Sequence, residues 1–185
     1  MNKEMFVKFQ LYCTTLVFIL IWGLLLWNYY HGGVPSHHIL ADKELPEISN
    51  WWGGLSLPLL TWFLFYRMKK RLINNKKQNL EERRIPVYII SGFLSALTFG
   101  ILLSVFFKLG YSYIPAYMLA GTFVLALFFP IYRSECILGF VLGMAFTFGA
   151  VLPMIIGSIL ALIAAFLYLC IRRILLYVIS GFVSK

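Results

Sequence analysis

The sequence predicts an all-α polytopic membrane protein, a bundle of about six transmembrane helices with both termini cytoplasmic. Three observations carry that expectation. Of 185 residues, 61% are apolar and 12% charged, and mean hydropathy is +0.84, where a soluble domain carries about 45–50% and about 25%. Apolar runs recur at the roughly 20-residue length that crosses a hydrocarbon core of about 30 Å. The basic residues sit between these runs instead of lining a polar face. A soluble fold this apolar would have too little polar surface for water. Three cysteines do not make a disulfide scaffold. Despite a pI near 9.6 and net charge +9, the basic segments lack the aromatic interleaving of a nucleic-acid surface, and no nucleic-acid partner is expected.

The spans follow in order. Residues 11–30 form the first, too long for a cleaved signal peptide and without the small-residue cleavage site of one. The second, 48–66, contains Pro58 and reaches membrane length only if it begins near Ile48. The third, 85–107, has Pro86 in its tolerant first turn. The fourth is 114–132. Residues 136–171 are uncharged over 36 positions, about 54 Å as one helix at 1.5 Å per residue, so the run must fold back. Gly149, Pro153 and Gly157 place that turn near its middle, giving spans 136–152 and 153–171. The whole chain, 1–185, is then one transmembrane domain without a soluble one, with an outer loop at 31–50, a basic inner loop at 67–84 and an interfacial tail at 172–185.

With the N-terminus inside, 14 of the 16 lysines and arginines are cytoplasmic, leaving Lys43 and Lys108 outside, as the positive-inside rule requires. Cys13, Cys136 and Cys170 then lie near the reducing side, where disulfides are not expected. The bacterial inner membrane is the expected location. The partners are the bilayer, anionic lipid at the basic inner loop, and another membrane subunit or a second copy packed on the helix faces. Small residues spaced by four mark close helix contacts: Gly139, Gly143 and Thr147 on span five, Gly157, Ala161 and Ala165 on span six, and Ala116 and Ala120 on span four. They predict spans five and six as a close antiparallel pair. Residues 83–95 and 172–184 agree at nine of thirteen positions, through shared descent or through a restricted alphabet.

The span interiors hold no ionisable side chain other than thiols and phenols, which argues against proton relays there. Gln10 and Asn28 lie near the ends of span one, where water can reach them. The outer loop differs. It carries all three histidines, His31, His37 and His38, and three of the seven acids, Asp42, Glu44 and Glu47. Ser36 is read as the N-cap of a short helix ended by Pro46, which would put His38 and Asp42 on one face. Imidazoles and carboxylates suit a divalent metal such as zinc, with His37, His38, Asp42, Glu44 and Glu47 as ligands. Asn50, Trp51 and Trp52 close the loop as a ligand wall or as interface anchors. Serine chemistry at Ser36, Ser49 or Ser56 has little support.

Three function classes are compatible with this pattern. The first is small-solute or ion transport, with His31, His37, His38, Asp42, Asn50, Trp51 and Trp52 as a binding or gating site. The second is a membrane-surface metal-dependent hydrolase or transferase acting on a lipid-type substrate. The third is a non-catalytic accessory or sensor subunit.

Overall fold

The computed structural model describes residues 3–34, 36–38, 47–76, 84–111, 113–175 and 177. The described residues fold into six helices: α1 (Lys3–Tyr30), α2 (Gly53–Lys76), α3 (Arg84–Lys108), α4 (Tyr113–Phe128), α5 (Ser134–Phe148) and α6 (Val151–Phe166). The last continues through a π-helical turn, Leu167–Ile171, so that Val151–Leu175 is one continuous helical rod, apolar up to Arg172. Between α1 and α2 lie two three-residue strands, β1 (Ser36–His38) and β2 (Glu47–Ser49), and a 3₁₀ turn, Asn50–Trp52. Among the described residues, three helices are long and apolar enough to cross a membrane: Glu4–Tyr30, Val87–Lys108 and Val151–Leu175. Two shorter apolar helices, Tyr113–Phe128 and Ser134–Phe148, complete the apolar set.

Side-chain contacts fix the helix directions. Phe6 and Phe9 near the start of α1 meet Phe65 in the second half of α2, while Trp22 near its end meets Trp51 just before α2. These two helices are therefore antiparallel. Arg71 near the end of α2 pairs with Glu135 at the start of α5, so this pair is antiparallel as well. In contrast, α3 and α5 run the same way: Gly92 lies over Glu135, Gly100 over Phe140 and Gly143, and Phe107 against Phe148. The helices alternate in direction. Arg71, Arg133 and Arg172 fall at one end, and Lys108 and the 3₁₀ turn at the other. We call these the basic end and the aromatic end.

The core is made of apolar side chains from the helices, among them Ile21, Leu25, Leu57, Leu103, Val141 and Met144. Outside, every helix shows large apolar side chains, including Ile19, Phe63, Ile90, Val124, Phe146 and Leu162, each more than half exposed. An apolar exterior on every helix is that of a protein dissolved in lipid.

Several expectations are corrected here. The second helix begins at Gly53 and not near Ile48, which lies in β2; Asn50–Trp52 turns the chain into it. The α5–α6 turn lies at Gly149 and Ala150, three residues before the expected break between 152 and 153, and Gly149 has φ +71°. Pro153 sits in the first turn of α6, where its missing N–H has no partner to lose. The glycine stripe of α5 serves α3 and not α6. A Cβ on Gly143 would lie 2.6 Å from the Leu97 carbonyl oxygen, and one on Gly139 would overlap the Phe93 carbonyl. Small residues on both helices, Ala96 and Gly100 facing Gly139 and Gly143, let these backbones touch. From α6, Gly157 meets the larger Phe140 and Val141 side chains. Gln10, expected in water, is buried and donates from Nε2 to the Trp62 carbonyl at 3.1 Å, joining α1 to α2.

Candidate functional site

Two places concentrate polar groups, one at each end of the bundle. At the aromatic end, α1 stops at Tyr30, and Gly32 and Gly33 reverse the chain with φ of 116° and 97°. The His31 ring stacks on Trp27 at 3.9 Å, and its Nδ1 donates to the Trp27 carbonyl at 2.9 Å. A carbonyl oxygen can only accept, so in this contact Nδ1 carries a proton.

The helix expected from Ser36 is replaced by an antiparallel ribbon. Ser36 pairs with Ser49, His37 with Ile48 and His38 with Glu47. Each triplet directly follows a proline, Pro35 or Pro46, and ladder hydrogen bonds satisfy backbone groups that a short helix would leave open at both ends. Ser36 therefore begins a strand and is not the N-cap of a helix. The register instead places His38 opposite Glu47. Asp42 and Glu44 lie outside the described residues. Among the described residues, no group of three or more His, Cys, Asp or Glu side chains is gathered to hold a metal.

The ribbon hands the chain to a well-seated corner. Ser49 accepts from the Trp51 N–H at 3.4 Å, and Trp51 packs between Trp22 and Tyr29 at 6.2 and 6.1 Å. Asn50 is only 3% exposed and lies against Gly149, where any Cβ would overlap its amide. Asn28, Asn50 and Thr147 border a pocket of about 20 Å³, room for one water. Trp52 faces outward, 66% exposed. Of the expected site residues, Asn50 and Trp51 are thus built into the bundle, whereas the ring contact and side-chain hydrogen bond of His31 are both to Trp27.

The larger opening lies between α3, α4, α5 and α6. It is a half-open cavity of about 200 Å³ whose walls include Ala96, Phe99, Leu125, Ile137, Phe140 and Leu160. Gly157 and Ala161 widen it from the α6 side. No acidic or basic side chain is among its described lining residues. Its polar lining is Ser95, Thr122 and Cys136. The Ser95 hydroxyl donates to the Gly92 carbonyl at 3.2 Å and Thr122 to Leu119 at 2.6 Å. Both hydroxyls thus spend their protons within their own helices and keep only acceptor lone pairs.

Next to Cys136, at the basic end, stands a group that sequence reasoning missed. Glu135 is 1% exposed, and its Oε1 accepts from the Arg71 guanidinium at 2.7 Å. Its Oε2 is buried with no hydrogen-bond partner among the described residues. Gly92 of α3 packs over it: a Cβ there would stand 3.1 Å from Glu135 Cγ and 3.4 Å from Cys136 Sγ. A signal was present in the sequence, a lone acid in the first turn of an apolar helix, but it reads equally as a complement to the helix dipole.

No known protein family, curated protein sequence or solved structure matches the chain.

Proposed function

We propose that the chain is a six-span integral membrane protein of the bacterial inner membrane, with its basic end cytoplasmic. In this proposal it is a transport protein that takes a small lipid-type amphiphile from the bilayer. The observation that carries this reading is the half-open, uncharged cavity within the bundle. An engineered apolar cavity of about 150 Å³ binds benzene, so about 200 Å³ accommodates a short apolar segment. A hydrated ion pathway needs rings of carbonyls or charges, and this lining has neither. A purely apolar solute crosses lipid unaided, so the useful cargo has a polar head that the bilayer would hold back. Alternating helix directions and the basic residues gathered at one end support the topology.

The test is to purify the protein in mild detergent and identify what remains bound after washing. A discrete amphiphile should accompany the native chain and be lost from Ala161→Phe, which fills the cavity. Identical bound-lipid profiles for both proteins would refute the reading.

A second reading, a membrane-surface metal-dependent hydrolase acting on a lipid-type substrate, draws support from the register of His38 opposite Glu47. Elemental analysis tests it: one tightly held divalent ion per chain, absent from His38→Ala, would favour it, and a metal-free native protein would exclude it.

A further inference from the structure

Charge at the basic end of the bundle is unevenly matched. Arg71 is paired with Glu135. Among the described residues, no carboxylate lies within ion-pair distance of Arg133, Arg172 or Arg173. Arg172 is nonetheless held in place. Its guanidinium lies over the Tyr168 ring, 4.7 Å from the centroid. That ring in turn rests against Tyr132 at 5.7 Å, which ties the π-helical turn after α6 to the turn between α4 and α5. Stacking uses the face of a guanidinium and leaves its N–H edge open to a bidentate acceptor. Arg172, Tyr168 and Tyr132 are each partly buried, so that edge is anchored and still reachable.

The backbone marks the same place. The turn carrying Tyr168 is closed by the Arg172 N–H donating to the Leu167 carbonyl, and π-helical turns are frequent at functional sites. Arg133, beside Tyr132, precedes the first turn of α5, whose dipole adds positive charge at this end. Along the rod that leads to Arg172, Leu162, Phe166 and Leu169 stand exposed. A fitting ligand therefore carries an anion at the helix end and hydrocarbon beside it. A zwitterionic lipid would bring an ammonium of its own to a cluster already positive. We infer that Arg172, seated on Tyr168 and Tyr132, binds the phosphate of an anionic phospholipid in the cytoplasmic leaflet, with Arg133 and Arg173 adding positive charge. The site is on the surface of the bundle. It rests on the membrane orientation proposed above and not on the cavity. It also differs from the diffuse attraction expected of the basic inner loop at 67–84, because here one arginine is fixed by aromatic rings.

Native mass spectrometry of the full chain in detergent tests this, with phosphatidylglycerol and phosphatidylcholine of identical acyl chains as probes. The native protein should bind one phosphatidylglycerol about ten-fold more tightly than phosphatidylcholine, as hydrogen bonds between charged groups provide. Arg172→Gln should remove most of that preference. Tyr168→Leu leaves every charge in place and should weaken phosphatidylglycerol binding about two- to five-fold, the value of an exposed cation–π contact. Lys69→Gln/Lys70→Gln removes two charges from α2 at the same end and should keep the preference. Equal affinity of the native protein for the two lipids would overturn the inference. So would unaltered binding by Tyr168→Leu, or a loss in the lysine variant as large as that in Arg172→Gln, since either would reduce the site to diffuse attraction. Displacement of the lipid by an equal concentration of inorganic phosphate would mark a site for the free anion and overturn the lipid assignment. Loss of the preference in Ala161→Phe would move the lipid into the cavity and overturn the surface site while leaving the cavity reading in place.

Discussion

Glu135 shows how much a single residue can carry. Its pairing with Arg71 spans 64 positions of sequence, and no local pattern announces it. Breaking a buried pair from one side costs about 3–5 kcal/mol. Arg71 remains 27% exposed and can turn to water, so Glu135→Ala should lose about 3 kcal/mol, the low end of that range. Arg71→Met/Glu135→Leu should stay within about 1 kcal/mol of the native protein, since apolar replacement of a buried pair is often neutral. Denaturant titration in detergent checks both; a double variant as unstable as the single one would show that the pair itself stabilises the bundle. The histidines between α1 and α2 teach the opposite lesson. Their concentration was legible, but their spacing was read with a helical period over residues that form a strand at Ser36–His38. Asn50 was legible only as a loop end, because its burial depends on Gly149, 99 positions away in sequence.

Among the elements, the contact of α3 with α5 is the closest fit in the bundle. Backbones approach so nearly that a Cβ on Gly100 would stand 2.7 Å from the Phe140 carbonyl oxygen. Gly143→Ala should therefore destabilise the protein by about 1–3 kcal/mol, the usual cost of overpacking. Gly143→Leu should prevent recovery of folded protein altogether. By comparison Gly121→Ala, where the added Cβ meets nothing within 4 Å, should be tolerated. Equal thermal stability of Gly143→Ala and the native chain in detergent would contradict the parallel α3–α5 contact. The glycine stripe was visible in sequence as a packing surface. Its partner was not, because small residues at every fourth position specify closeness without specifying to what. Helix order was legible from hydropathy, but only some helix ends were: α1 begins at Lys3 and not at 11, and α2 runs on to Lys76 and not to 66, because polar turns extend a helix beyond its apolar part. The start of α2 was missed since Ile48 is apolar in a strand as readily as in a helix.

For the whole molecule, composition and charge placement carry the membrane assignment, and the apolar exterior agrees with it. The proposed six-span topology makes a simple prediction. In a background lacking the three native cysteines, Ser36→Cys should react with an impermeant reagent added to intact cells, and Asn75→Cys should react only after lysis. The reverse pattern would invert the orientation, and reaction of both in intact cells would break the six-span arrangement. The cavity was beyond sequence reasoning, because its walls come from four helices and it exists only once their separation is set. Its occupancy is also the claim on which the functional account depends. An electron cryomicroscopy structure of the native chain in lipid nanodiscs addresses it directly. The account predicts elongated density between α3, α4, α5 and α6, within the cavity lined by Phe99, Leu125 and Leu160. A cavity collapsed by inward movement of α4 or α6, or open but without bound density, would contradict it.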